Sequence, residues 1–266
     1  MIPPSWKKGG NLLLIAGVLA ILIVSGYIAF LFDRNTQQSE RHDFHYSLDL
    51  SYTATLENVT ILLPVPRTGT AGTPFLTESL VEKNLYGVPA GWNVSLDEMN
   101  GTPMLAIRAG RMVPEYHGYP IAIEPGQSPL PATRAPGTEY SADTPVLQPV
   151  HLGIMIPVNR TIDTGSPVGN EPLFAPDASF EPLAETTGPY AGKEYAYTVP
   201  VYVGYESSRP AAVSLSASIG GTNSIWKGGW VSNSYADRLS LELEDSPGWT
   251  TAAGVLRTEE GVPLRQ

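Results

Sequence analysis

The sequence predicts an all-β protein: an antiparallel β-sandwich ectodomain behind one N-terminal transmembrane α-helix. Three observations carry that prediction. Asn11–Phe32, NLLLIAGVLAILIVSGYIAFLF, is an unbroken apolar run. Behind it, apolar and polar residues alternate with a period of two, the pattern of a half-buried strand. Turn-forming residues punctuate the rest of a chain that holds 25 prolines and 26 glycines, with no second long stretch of helical period.

As a helix, the 22 residues of the apolar run span about 33 Å, enough to cross a hydrocarbon core of ~30 Å. Fourteen of them are Leu, Ile, Val or Phe, each favouring insertion by roughly 0.3–0.6 kcal/mol, or about 4–8 kcal/mol together. A cleaved secretory signal has a shorter apolar region ending at small residues. This run ends in Phe30-Leu31-Phe32-Asp33, which reads as a retained anchor. Residues 1–10 are then a short cytoplasmic segment, 11–32 the membrane span and 33–45 a polar stalk. Lys7-Lys8-Gly9-Gly10, directly before the run, resembles the class III signal of archaeal type IV pilin-like proteins. Mature pilins often carry Glu near position five, where cleavage after Gly10 would put Ile15. A pilin-like filament subunit is an alternative that depends on that processing.

Lys7 and Lys8 precede the span and Arg34 and Arg41 follow it, so the basic residues barely orient it. Sequons orient it instead. Asn58, Asn93, Asn100 and Asn159 each begin an N-x-[ST] tripeptide, placing residues after the span outside the cell as a glycoprotein. With 26 acidic against 16 basic residues the chain carries a net charge of −10, a field that repels nucleic acid. Cysteine is absent, which excludes disulfides, thiolate metal sites and a cysteine nucleophile. About 200 residues can bury a core without such staples. An acidic, disulfide-free surface domain suits a prokaryotic envelope, archaeal in particular.

Within residues 46–257, Tyr46, Leu48, Leu50 and Tyr52 alternate with Ser47, Asp49 and Ser51, and Val59, Ile61 and Leu63 share one face of the next strand. Further strands are predicted at 92–96, 104–108, 119–123, 150–157, 195–205, 211–219, 226–232, 239–243 and 250–256. Asn100-Gly101, Gly220-Gly221 and Ser246-Pro247-Gly248 are among the turns that separate them. Residues 75–86 hold the helix formers for one short helix. Two stretches rich in Pro and Gly, near 124–138 and 168–190, read as long loops of a single sandwich, and 258–266 as a flexible tail.

No motif assembles a catalytic set. Asp163-Thr164-Gly165-Ser166 matches the D-[TS]-G-[ST] loop of aspartic proteases, in which paired carboxylates share the work of activating water. One copy occurs, so a protease would have to be a dimer; a polar turn capped by Asp163 is the simpler reading. Ser224-Ile225-Trp226-Lys227 matches S-x-x-K without the accompanying S-D-N and K-T-G elements. His42 and His45 lack the Glu and third ligand of a metal site. Glu242, Glu244 and Asp245 alternate with leucines and form a solvated face. Trp226, Trp230 and Tyr235 are the candidate binding residues. On an open sheet face they could stack on sugar rings; the simpler reading is that one or both tryptophan rings plug the core.

The anchor, the Val59–Pro64 strand, Ser166-Pro-Val-Gly-Asn-Glu-Pro172 and the Trp226–Trp249 stretch together resemble single-pass membrane-anchored surface proteins of methanogenic archaea. That resemblance implies an envelope location and no particular activity. The expectation is a non-enzymatic, membrane-tethered extracytoplasmic domain with a structural or binding role and no cofactor. Its partners are the lipid bilayer through residues 11–32 and an envelope protein or glycan, with no nucleic acid.

Overall fold

A computed structural model describes residues 4–69, 79, 85–99, 101–117, 146–188 and 191–260. The strand expected at 119–123, the loop at 124–138, most of the helix at 75–86 and the sequon at Asn100 lie outside the described residues. Helix α1 runs Pro4–Gln38. Twelve strands follow among the described residues: β1 Arg41–Tyr52, β2 Leu56–Pro64, β3 Trp92–Met99, β4 Thr102–Met112, β5 Glu115–His117, β6 Val146–Gln148, β7 Val150–Val158, β8 Glu181–Thr186, β9 Gly192–Glu206, β10 Ala212–Trp226, β11 Trp230–Glu244 and β12 Gly248–Arg257.

One helix among the described residues is long and apolar enough to cross a membrane, and none of its Gly17–Gln38 window is buried. By length and composition it is a membrane span or a secretion signal. The polar stretch 33–45, expected as a stalk, is helix and then strand. The helix continues to Gln38 and β1 begins at Arg41, leaving two residues between them.

The domain is mostly β, and its described strands form one large curled sheet, with β5 and β6 paired separately. Nine strands lie on one antiparallel path, β3-β4-β2-β9-β12-β11-β10-β1-β7, with β8 added beside β9. The sheet curls into a half-barrel whose inner face holds one contiguous core drawn from β1, β2, β4, β7, β9, β10, β11 and β12. Alternation decides which residues reach it. In β10 every second residue from Val213 to Ile225 is buried, and in β1 Phe44, Tyr46, Leu48, Leu50 and Tyr52 all point inward. Each fully buried side chain of this kind contributes about 1.5–3 kcal/mol.

β9, β10 and β11 are 15 residues each, and the right-handed twist of the strands accumulates across the sheet as its curl. Gly220 and Gly221, expected at a turn, lie mid-strand opposite Ala236 and Tyr235. A β-carbon on Gly221 would stand 2.7 Å from Ile162 Cγ2 and from the Tyr235 ring, so the glycine is there for space. Gly254 opposite Tyr197 is tighter still, its inner face covered by the Tyr197 ring. Gly254→Ala is expected to push that ring aside and cost about 1–3 kcal/mol. Gly110→Ala, with nothing within 4 Å of the new carbon, should stay within about 0.5 kcal/mol. Thermal unfolding of the two variants in detergent checks the contrast.

Candidate functional site

Two constructions occupy the end of the half-barrel next to α1. The first is the segment 159–178, which follows β7 and folds back into the mouth. In sequence it begins a loop-like stretch, yet Ile162, Leu173 and Phe174 are buried in the core. Asn223, inward on β10, ties it down. Its Oδ1 accepts the Ile162 N–H at 2.9 Å and meets His42 Nδ1 at 2.7 Å. Its Nδ2 donates to the Ile162 carbonyl at 2.8 Å and to Asn233 Oδ1 at 2.9 Å.

Carboxylates complete the hold. Glu171, 1% exposed, accepts both guanidinium nitrogens of Arg160, at 2.6 and 2.5 Å, and the Asp163 N–H at 2.7 Å. That hydrogen bonding holds Arg160 above its ordinary pKa. Asp237, fully buried on β11, accepts the Phe174 N–H at 2.8 Å and the Tyr197 hydroxyl at 2.5 Å. Burial pushes its pKa up to about 7, against the two hydrogen bonds, which favour the charged form. Tyr235 donates its hydroxyl to the Pro172 carbonyl at 2.9 Å, and Arg67 pairs with Asp177. Residues 258–260, expected to be tail, close the other side: Thr164 and Glu259 exchange backbone and side-chain bonds, and Glu259 Oε2 accepts the Ser234 N–H at 2.9 Å.

The second construction is the β10–β11 hairpin tip, Trp226 to Trp230. The two indoles are cross-strand partners, edge to face with centroids 5.8 Å apart. They are 41% and 55% exposed. Ser39, in the connection after α1, accepts the Trp226 N–H on its Oγ at 2.8 Å, and Arg41 lies 5.5 Å over the Trp230 ring. A cleft between the helix and the tip is lined by Ser25, Ala29, Phe32, Ile225 and Lys227.

No protein-family model, curated protein or solved structure matches the chain.

The simpler reading, one or both tryptophans in the core, is not what the structure shows, and the alternative shared face is divided. Trp226 and Trp230 are on the outer face of the tip, while Tyr235 is an odd number of residues from Trp230 and points into the core, 2% exposed. A three-ring platform does not form. Asp163 spends both oxygens within its own loop, accepting the Ser166 N–H and the Asn170 amide at 2.9 Å each. Ser224 is in strand and Lys227 in the turn, so the helical spacing that S-x-x-K chemistry needs is not made. His42 faces inward and His45 outward, and no group of three or more His, Cys, Asp or Glu suited to a metal occurs among the described residues. Asn58, Asn93 and Asn159 are exposed; Asn58 adopts φ 51° and its amide donates to Glu206 at 3.2 Å.

Sequence reasoning missed the Asn223 hub, the Arg160–Glu171 pair, the Asp237 cluster and one surface grouping. On the outer face His151 meets Asp49 at 2.7 Å and the Tyr86 hydroxyl at 3.4 Å, an exposed cross-strand cluster worth less than about 1 kcal/mol. Asp237 had a readable signal. It stands in the inward phase of β11, in step with Leu239, Leu241 and Leu243.

Proposed function

We propose that the protein is a membrane-tethered extracytoplasmic domain with a structural or binding role at the cell envelope, and that it works without catalysis. The observation that carries this reading is the joint at Ser39. An apolar, outward-facing helix passes into the sheet through two residues and is hydrogen-bonded to the hairpin beside it. A cleaved leader has no use for such a joint. The internal saturation of Asp163, Glu171 and Asp237 supports a structural role for the polar groups in the mouth, since each is engaged in holding segment 159–178. The exposure of Asn58, Asn93 and Asn159 supports their use as glycan acceptors, with the envelope surface as the domain's setting. The resemblance to surface proteins of methanogenic archaea points the same way.

A second reading, a module that binds an envelope glycan, draws on the exposed Trp226–Trp230 pair alone.

Mass spectrometry of the protein extracted from its native membrane tests the first reading. The expected result is a peptide that retains residues 1–10, in a fraction that resists carbonate extraction, with added hexose mass on Asn58, Asn93 or Asn159. A soluble protein whose first residue lies beyond Phe32 would overturn the tether. A first residue at Gly10 or Asn11 would recast it as a processed, pilin-like subunit.

A further inference from the structure

The hairpin tip has a definite height relative to the helix. Helix α1 rises about 1.5 Å per residue, so Ser39 is roughly 10 Å beyond Phe32, the last residue of the apolar run. The Trp226 N–H is bonded at the level of Ser39. From there the chain turns back along the helix, and a β-carbon on Gly228 would lie 4.0 Å from the Phe32 ring. The tip thus descends to the plane where the helix changes from apolar to charged residues. In a bilayer spanned by the apolar run, that plane is the boundary between acyl chains and headgroups.

The composition of the tip suits that plane. An indole is a large apolar body with one N–H donor, and tryptophan is enriched at membrane interfaces because both needs are met there. Trp226 and Trp230 are the two rings, left half open to the surroundings by the fold. Arg41 over Trp230 supplies a cation beside the rings, while Lys227 in the turn lines the cleft together with Asp33 and Glu40. Gly228 and Gly229 remove side chains from the apex.

Resting on the reading of α1 as a membrane span, we propose that the β10–β11 hairpin tip is a second membrane contact. It inserts Trp226 and Trp230 among the lipid headgroups of the leaflet from which α1 emerges. The domain is then held at two points, the helix and the hairpin, and its inclination to the bilayer is fixed.

The absence of cysteine makes the test direct. Full-length protein carrying Lys227→Cys, Ser246→Cys or Ile21→Cys is labelled with a nitroxide and reconstituted into vesicles of phosphatidylcholine and phosphatidylglycerol. Collisions with oxygen, which concentrates in lipid, are compared with collisions with a water-soluble nickel chelate. Ile21 reads the span. Ser246, in the turn at the far end of β11, is about 45 Å away along the strand and reads water.

The expected result is an oxygen-to-nickel ratio at position 227 several-fold above that at 246, falling to the value at 246 when Trp226→Ser and Trp230→Ser are combined. Equal ratios at 227 and 246, with position 21 reading lipid, would overturn the contact and leave the span standing. A water-like ratio at 21 would remove the span and the contact together. Shielding of position 227 from both reagents would overturn the contact in favour of a second copy of the chain seated on the tip.

Discussion

Asn223→Leu is expected to lower the unfolding free energy by about 4 kcal/mol, because leucine fills the space but leaves buried polar groups without partners at about 1–3 kcal/mol each. The Ile162 N–H and carbonyl both lose their bonds, and Asn233 loses an amide donor. Asn223 also joins three elements that are distant in sequence, β1 through His42, β11 through Asn233 and the 159–178 segment through Ile162. Its loss should therefore free the segment before the sheet melts. Two measurements check this on the full chain in detergent. Denaturant unfolding should show the loss of stability, and trypsin should cut after Arg160 at least tenfold faster than in the parent. An unchanged cleavage rate would mean that the Arg160–Glu171 pair and the buried Phe174 hold the segment by themselves.

The second large effect is a pH dependence. Asp237 has a pKa of about 7 in the folded chain against an ordinary 3.8. Between those values the unfolded carboxyl is ionised and the folded one still holds its proton, so the folded state binds more protons and stability falls as pH rises. The loss ends as pH passes above the folded value of about 7 and, for a difference of about three pH units, amounts to roughly 4 kcal/mol. Well below 3.8 both states are protonated and the contribution is flat. Asp237→Asn should remove the slope. Its side-chain oxygen can accept from the Phe174 N–H, and its amide can donate to the Tyr197 hydroxyl oxygen. The check is the midpoint of thermal unfolding from pH 4 to pH 8 in both proteins, where a parallel decline in the two would place the titration elsewhere. Asp97, exposed and held below its ordinary pKa first by its hydrogen bond from Arg108, acts with the opposite sign.

The helix and most strands were legible because their signals are local. Fourteen strongly apolar residues in one run, and inward Leu or Val at every second position, need no knowledge of what they pack against. The closure of the sheet was not legible. The alternation in β9, β10 and β11 states that one face is buried, but it is the same whether the covering face belongs to a second sheet or to the far end of the same one. Gly220-Gly221 misled for a related reason. A glycine pair signals a turn when the requirement is a backbone angle, and here the requirement is room for Phe44, Ile162 and Tyr235.

The mouth segment was hidden by composition. Proline and glycine near 165–176 mark irregular backbone, and irregular backbone is ordinarily at the surface. This segment goes inside because Asn223, Asp237 and Glu171 satisfy backbone groups that water would otherwise serve. The division of Trp226 and Trp230 from Tyr235 follows from parity along β11, which could have been counted once the turn was placed at 227–229.

Two residues separate the end of α1 from the start of β1, and a side-chain hydrogen bond spans the junction. So short a connection, with Ser39 bonded to the hairpin, limits swivelling between helix and sheet. Turning the helix about its own axis tends to carry the domain with it. With α1 in a bilayer, as proposed above, whatever sets the helix's azimuth would also decide which flank of the domain faces each lateral neighbour. The joint would then convert a choice of helix face into a choice of domain face.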